Sequence, residues 1–280
     1  MFSDVLKVSR PGFWPTHVWF YVLPFAERNM FGSWAFWLGI CYVCLPLSLL
    51  LYGWNDLGDS ETDAINPRKD SWLFGARPDD QLRARLPLII ALVQLPFVAA
   101  FVWIAGFKML GLMVLIVLAN FLYNTAGFKK LPVLDLLNQV GYVLMFVLAS
   151  WLCDVPQLNV PAIVFGALFA MQSHLFGQLM DLDEDRAALR RSTAIVIGVT
   201  AAKFLLAAIM LAEATIGLCF FRGYYVAIFM GAGSSFFFVD AIFGPDRYPL
   251  WFVKAFFVGW NCVVLLTIHL IWRYGFFLLK

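Results

Sequence analysis

Long apolar stretches recur from one end of this 280-residue chain to the other, and they constrain its fold more than any other feature. Hydrophobic residues make up 62% of the sequence, charged residues only 14%, and the mean hydropathy is +0.81. A soluble domain needs more polar surface than this, whereas an apolar stretch of about 20 residues is long enough for a helix to cross a bilayer. The chain is therefore predicted to be an all-α integral membrane protein.

Nine such stretches are predicted to form transmembrane helices. Their approximate extents are 13–26, 32–56, 86–105, 107–123, 132–153, 160–182, 194–220, 224–243 and 250–273. The first is short and contains Pro15 and Pro24, which indicates a broken or re-entrant entry into the membrane. A single domain over residues 1–280 is expected.

The distribution of basic residues predicts which side of the membrane each connection occupies. Of the 20 lysines and arginines, 13 fall in connections on one side, and the other side receives only Arg28, Lys108, Arg222, Arg273 and Lys280. The positive-inside rule makes the first side cytoplasmic, and a cell (inner) membrane is expected. The net charge of +2 gives no reason to expect a nucleic acid partner.

The second apolar stretch ends in the acidic run Asn55-Asp56-Leu57-Gly58-Asp59-Ser60-Glu61-Thr62-Asp63. On a helix, Asn55, Asp59 and Asp63 are spaced four residues apart and share one face, with Asp56 beside it. Carboxylates in a small volume repel one another unless a cation compensates them, and an all-oxygen cluster suits Mg²⁺. These four residues are therefore predicted to bind Mg²⁺ at the cytosolic side.

A matching acidic run closes the sixth apolar stretch. Asp181 and Asp185 are again four residues apart, and the same helical face passes back through Gln178 and His174. Both aspartates are predicted metal ligands. His174 is interpreted either as a residue that orients a ligand or the acceptor, or as a hydrogen-bonded structural histidine.

Basic residues flank both acidic runs and are predicted to bind a polyanion such as a diphosphate. Lys129 and Lys130 also have a simpler interpretation, which is that they set the topology. Asn138, near the start of the fifth stretch, is expected to point towards the same pocket. The predicted substrate-binding residues are Arg68, Lys69, Lys129, Lys130, Arg191, Asn138 and His174.

The connection at about 61–85 is long for a loop between membrane helices. Basic residues in it bracket the small apolar insert Ser71-Trp72-Leu73-Phe74-Gly75. This arrangement favours a cap over the acidic site. The alternative is a solvated loop that carries positive charge and has no further role.

Four features together resemble the UbiA superfamily of intramembrane prenyltransferases. They are the NDxxDxxxD string at Asn55–Asp63, the DxxxD string at Asp181–Asp185, the segment from Tyr123 to Lys129, and Ser9-Arg10-Pro11. The resemblance implies a helical bundle around a central cavity that opens sideways to lipid. It also implies that two Mg²⁺ ions hold an isoprenyl diphosphate donor, whose prenyl group passes to a hydrophobic acceptor.

Carried over to this sequence, the resemblance assigns catalytic roles to Asp59, Asp63, Asp181, Asp185 and Tyr123. In the tyrosine-lysine element, Lys129 follows Tyr123 by six residues, where the common family pattern has four. The run Asn66-Pro67-Arg68-Lys69 resembles the branch that includes lycopene elongases.

Two further functions compete with prenyl transfer to a general acceptor. The first is a related enzyme of the same superfamily, either a carotenoid elongase or a terpene cyclase. The second is a divalent-cation transporter, which is disfavoured because both acidic clusters lie at one membrane face and no acidic relay continues to the other side.

Overall fold

The computed structural model describes residues 2–275 and 277–280, with the backbone alone for residues 60–62. Met1 and Phe276, which belong to the predicted domain, lie outside the described residues. The fold is an all-α membrane bundle, as predicted. In chain order its helices are α1 (Phe2–Val8), α2 (Trp14–Val22), α3 (Trp34–Gly58), α4 (Ser60–Ile65), α5 (Asp80–Ala105), α6 (Lys108–Asn124), α7 (Leu134–Leu152), α8 (Val160–Met180), α9 (Leu182–Ala187), α10 (Thr193–Ile197), α11 (Val199–Phe220), α12 (Tyr224–Phe243) and α13 (Leu250–Tyr274).

Within the described part of the chain, eight helices are long and apolar enough to cross a membrane: α3, α5, α6, α7, α8, α11, α12 and α13. The remaining predicted span, 13–26, contains the nine-residue helix α2 between two 3₁₀ turns. Pro15 lies in its first turn, where a missing N–H is tolerated. Trp19, Phe20 and Tyr21 are buried, because α2 packs against α3, α7 and α13 at the centre of the bundle.

Two predicted boundaries are wrong. The third span begins at Asp80 rather than at 86, because Asp79 caps it by accepting a hydrogen bond from the backbone N–H of Leu82 at 2.7 Å. The connection predicted at 61–85 therefore contains α4, a segment at 66–79, and the first turns of α5. The stretch predicted at 194–220 is divided at Gly198, whose φ of 84° ends α10.

Helix α3 contains a wide π-helical turn at Leu49–Gly53, shortly after Pro46. A backbone that departs from regular α geometry inside a membrane needs partners for the carbonyls that it frees. Gln94 donates to the carbonyl of Pro46 at 2.6 Å, and Asn120 donates to that of Leu50 at 3.0 Å. These contacts from α5 and α6 stabilise the turn just before the first acidic run.

The segment 66–79 folds over the N-terminal segment of the chain. A short antiparallel bridge joins Ser71 to Gly75, and the backbone N–H of Gly12 donates to the carbonyl of Trp72 at 3.2 Å. Phe74 is buried, and its ring lies 4.8 Å from that of Phe257 on α13. The segment is thus packed onto the bundle beside the acidic runs.

Candidate active site

One cavity of about 380 Å³ opens between α2, α3, α6, α7 and α8. Charged side chains line one end of it, and aliphatic and aromatic side chains predominate in the remainder. The charged lining residues are Arg10, Asp59, Asp63, Arg68, Lys69, Lys129, Asp181, Asp185 and Arg190. Along α3 the lining changes from Leu47 and Leu51 to Tyr52 and then Asn55, so the cavity becomes polar towards the end of that helix.

Both acidic runs have the same local structure, which differs from the continuous helical face that the sequence predicts. A break at Asp59 separates α3 from α4, and a break at Asp181 separates α8 from α9. In each run the backbone N–H of the aspartate four residues later, Asp63 or Asp185, donates to the carbonyl of the first at 2.8 Å. Each motif thus turns at its first aspartate and still brings both aspartates to the cavity.

Asp59 lies at the centre of the charged end and is only 4% exposed. Its Oδ1 is 2.7 Å from the ammonium of Lys129 and 2.5 Å from the guanidinium of Arg190. Burial raises the pKa of Asp59, but these two cations outweigh it and hold the pKa below its usual value. Asp59 is therefore ionised.

Asp63 shares its cation with a second carboxylate. The ammonium of Lys69 lies 2.8 Å from Oδ2 of Asp63 and 2.8 Å from Oδ1 of Asp56. Burial raises the pKa of Asp63, and Lys69 opposes that effect without cancelling it. One lysine thus serves two buried carboxylates, so this part of the site favours further positive charge.

Asp56, predicted as a metal ligand, lies behind the cavity wall and is 0% exposed. Besides Lys69, it accepts a hydrogen bond from Arg10 at 2.7 Å. It therefore connects the N-terminal segment to segment 66–79 and supports the site from outside.

The second acidic run meets the first through a shared arginine. Arg190 contacts Asp59, and its Nη1 lies 3.3 Å from Oδ1 of Asp185. Burial raises the pKa of Asp185 to about 6, partly opposed by Arg190. Asp181 pairs with Arg68 and accepts a hydrogen bond from Asn66 at 3.1 Å. Segment 66–79 thus reaches both acidic runs.

The structure distinguishes between neighbouring basic residues. Lys129 and Arg190 line the cavity, whereas Lys130 and Arg191 are exposed and lie outside its lining. Arg191 is a predicted substrate-binding residue, whereas Arg190 is not among those predicted. No periodicity identifies the inward-facing arginine, because Leu189 has a φ of 53° that breaks the helical register.

Three predicted residues line the cavity from α6, α7 and α8. The hydroxyl of Tyr123 lies 3.3 Å from Nε2 of His174, and Asn138 lines the same cavity. Asp135 is fully buried beside them and accepts hydrogen bonds from Gln178 at 2.7 Å and from the backbone of Thr193 at 2.7 Å. These bonds fix α7, α8 and α10 against one another.

The donor set fits Mg²⁺ in its chemistry. Asn55, Asp59, Asp63, Asp181 and Asp185 all supply oxygen to one end of the cavity, and hard cations prefer oxygen ligands. In the described residues, however, no three His, Cys, Asp or Glu side chains converge as a preformed metal site. The carboxylates are paired with lysine and arginine instead, so ion binding requires them to exchange those partners.

The chain is similar in sequence to known enzymes. Residues 13–257 match the UbiA prenyltransferase family. The lycopene elongase/hydratase of Corynebacterium glutamicum is 30% identical over 200 residues, which is 69% of this chain and 69% of that protein. The lycopene elongase/hydratase of Halobacterium salinarum is 31% identical over 225 residues, 77% of this chain and 79% of that protein.

Solved structures give the same architecture. A UbiA homolog from Archaeoglobus fulgidus bound to DMAPP and Mg²⁺ superimposes with a TM-score of 0.64 at 15% identity, covering 93% of this chain and 98% of that one. The structure of such a homolog bound to GPP and Mg²⁺ gives 0.64 at 14% identity, covering 93% and 99%. At these identities the likeness concerns the fold.

Proposed function

Because the chain belongs to the UbiA prenyltransferase family, we propose that it transfers a prenyl group from an isoprenyl diphosphate to a lipid-soluble acceptor, with Mg²⁺ as cofactor. It is an integral membrane prenyltransferase. The observation that carries the proposal is one cavity in which two acidic runs and five basic side chains occupy one end and apolar side chains predominate in the rest. A diphosphate matches the first environment and a prenyl chain matches the second.

Two Mg²⁺ ions are proposed, one for each acidic run. Asn55, Asp59 and Asp63 would hold the first, and Asp181 and Asp185 the second. When bound, the ions neutralise the oxygens of the diphosphate and make it a better leaving group.

The basic side chains complete the diphosphate site in this proposal. Lys69, Lys129, Arg68 and Arg190 are bonded to the carboxylates that would hold the ions. Once those carboxylates bind Mg²⁺, the same four side chains are free to donate hydrogen bonds to phosphate oxygens. The four positive charges that two Mg²⁺ ions would bring offset the negative charge of the diphosphate that enters with them.

The rest of the cavity has the chemistry that the transferred group needs. Loss of diphosphate leaves positive charge on the allylic C1, and aromatic faces within about 6 Å stabilise such a charge. Phe20, Tyr142, Phe256 and Trp260 line the cavity. Their apolar surface also limits water, which would otherwise compete for the cation.

The proposed acceptor is a linear polyene hydrocarbon, supported by relatives named lycopene elongase/hydratase. The cavity volume of about 380 Å³ lies near the lower end of small-molecule sites, which span about 300–1,000 Å³. That volume suits a short-chain donor and one end of a long acceptor, with the remainder of the acceptor in the bilayer.

The transporter alternative has less support. Among the described residues that line the cavity, the four carboxylates Asp59, Asp63, Asp181 and Asp185 all lie at its charged end. A permeation path for a divalent cation needs acidic or carbonyl groups along its length.

Product analysis tests the function. Purified protein in lipid vesicles receives isoprenyl diphosphates of different chain length, with or without a lipid-soluble polyene acceptor, and products are identified by mass. Transfer predicts an adduct only when donor, acceptor and Mg²⁺ are all present. A cyclase would release diphosphate and a cyclic hydrocarbon without acceptor.

The proposed orientation puts the charged end of the cavity in the cytoplasm, supported by the excess of basic residues at that end. In a cysteine-free background, Asp80→Cys and Arg28→Cys introduce thiols at exposed positions near the charged end and at the opposite end. A membrane-impermeant thiol reagent is expected to label only Arg28→Cys in intact cells. Labelling of Asp80→Cys alone would reverse the orientation.

A further inference from the structure

A buried polar cluster lies in the cavity and has no part in holding the donor diphosphate. His17 on α2 is only 1% exposed, and its Nδ1 lies 2.8 Å from Oγ of Ser48 and 3.2 Å from the carbonyl of Val43. Its Nε2 lies 3.2 Å from the hydroxyl of Tyr52. His17 and Tyr52 both line the cavity.

The tautomer of His17 is assigned from these contacts. A carbonyl only accepts hydrogen bonds, and the hydroxyl of Ser48 donates to the carbonyl of Val43 at 3.2 Å. The proton of the neutral imidazole therefore belongs on Nδ1, where it has two acceptors. Nε2 keeps its lone pair and accepts a hydrogen bond from the hydroxyl of Tyr52.

The cluster lies at the junction between the two halves of the cavity. Tyr52 precedes the predicted ligand Asn55 by three residues on α3, which is about one helical turn. The guanidinium of Arg10 lies 4.7 Å from the ring of Tyr52 on the charged side. On the apolar side, Phe20 follows His17 by one turn of α2. A prenyl C1 next to a diphosphate at the charged end would reach this junction.

The reaction with a polyene acceptor requires a proton acceptor at that point. The C1–O bond of the donor breaks and its electron pair leaves with the diphosphate. The π electrons of an acceptor double bond form the new C–C bond, so that the positive charge moves to the other carbon of that double bond. The charge is removed when water adds through oxygen and loses a proton, or when an adjacent carbon loses a proton and a new double bond forms.

We propose that Tyr52 and His17 accept this proton. The oxygen of Tyr52 takes it from the bound water or from the adjacent carbon, and the hydroxyl proton of Tyr52 passes to Nε2 of His17. Tyr52 is the catalytic residue of the pair, and His17 is a positioning residue that acts through it. This assignment rests on the proposed function, since it presupposes prenyl transfer to an alkene.

One feature favours this pair over the other histidine-tyrosine pair in the cavity. His174 lies one turn from Gln178, which donates to Asp135, so Tyr123 and His174 belong to the polar wall. On α8, Gln172 and Ser173 line the same cavity, and the Nε2 of Gln172 and the Oγ of Ser173 have no hydrogen-bond partner in the described structure. They are suited to hold the water that adds to the cation.

A weak base is sufficient for this step. The carbocation, or the protonated alcohol formed from it, is a far stronger acid than an imidazolium ion. A buried neutral histidine without a carboxylate partner can therefore take the proton. The same weakness keeps His17 neutral before the transfer, when it must have a free lone pair.

The test compares Tyr52→Phe and His17→Gln with the wild type under Mg²⁺, a short isoprenyl diphosphate and a polyene acceptor. The measured quantity is the adduct formed for each diphosphate released. Both variants are expected to release diphosphate but to lose adduct about 10²-fold, with prenyl alcohol in its place, because the adduct cation reverts and water captures the prenyl cation.

The matched control is Tyr21→Phe. Tyr21 is on the same helix as His17 and fully buried, and its hydroxyl bonds to the carbonyl of Phe36 outside the cavity. It is expected to keep the wild-type ratio of adduct to diphosphate. A purely structural effect of losing a buried tyrosine hydroxyl in this part of the bundle would instead appear in this variant too.

The outcomes separate the inference from the proposed function. A wild type that releases no Mg²⁺-dependent diphosphate contradicts the function itself. The inference alone is overturned if the wild type forms adduct for each diphosphate released and Tyr52→Phe shows the same ratio of adduct to diphosphate and the same solvent deuterium isotope effect. In that case the departing diphosphate would be the proton acceptor. If His17→Gln does not fold, Tyr52→Phe decides the question.

Discussion

Diphosphate release by an Asp181→Asn variant is expected to fall at least about 10²-fold below that of the wild type, as when one electrostatic contact to a developing charge is lost. The substitution keeps the shape of the side chain and removes its negative charge. Asp181 begins the second acidic run and is paired with Arg68 at the cavity. Without this carboxylate a divalent ion loses a ligand and the departing diphosphate keeps more of its charge.

Asp59→Asn is expected to have a similar effect from the other acidic run, and Asp80→Asn serves as the control for both. Asp80 is exposed at the start of α5 and bonded to Arg83. Release of labelled diphosphate by membranes containing equal amounts of inserted protein is the measurement. Wild-type rates in Asp181→Asn would remove the second acidic run from the site.

The second large effect is expected for Lys129→Gln, which should lower kcat/KM for the donor about 10²-fold, while Lys130→Gln stays within about threefold of the wild type. The ammonium of Lys129 is buried and lies 2.7 Å from Asp59. Lys130 is exposed outside the cavity lining. The two adjacent lysines thus form a matched pair, in which one side chain lines the cavity and the other is exposed outside it.

Steady-state kinetics with varied donor concentration measure both lysine variants. A variant that has lost a contact to the phosphates of the bound donor has a raised KM, and a variant that has lost a contact made only in the transition state has a lowered kcat. Equal losses in the two variants, or a larger loss in Lys130→Gln, would mean that the tyrosine-lysine element binds the donor in another register.

The membrane helices were predictable because bilayer thickness fixes the length of an apolar span. The predicted helix ends were wrong where local backbone geometry determines the position at which a helix begins or ends. Residues 194–220 are mostly apolar, with Lys203 and Glu213 as the charged exceptions, yet Gly198, whose φ is 84°, divides them. Asp79 moves the start of α5 to Asp80 through a hydrogen bond that hydropathy does not report.

The acidic residues of the site were predictable because carboxylates at the end of an apolar span are costly unless cations compensate them, and a spacing of four residues brings them together. The choice between neighbouring basic residues was not predictable. Gly127 has a φ of 85° and leads into a 3₁₀ turn, so helical periodicity does not extend from α6 to Lys129. Leu189, with a φ of 53°, breaks the register before Arg190 in the same way.

Long-range contacts account for the residues that sequence analysis missed. The role proposed for His17 depends on Ser48 and Tyr52, which reach it through the π-helical turn of α3. A histidine in a short apolar segment carries no signal of those partners. Long-range contacts also matter for Asp56. Its place in an acidic motif predicts a metal ligand, but in the structure it contacts Arg10 and Lys69 and does not line the cavity.

The most direct test of the proposed function is product formation by the purified protein from a five-carbon isoprenyl diphosphate and a linear polyene acceptor, with Mg²⁺ or with EDTA. We expect an adduct heavier than the acceptor by at least one prenyl unit in Mg²⁺, no adduct in EDTA, and recovery of adduct formation when Mg²⁺ is restored. Adduct formation that continues unchanged in EDTA, or an absence of any prenylated product from the whole range of donors and acceptors in Mg²⁺, would contradict it.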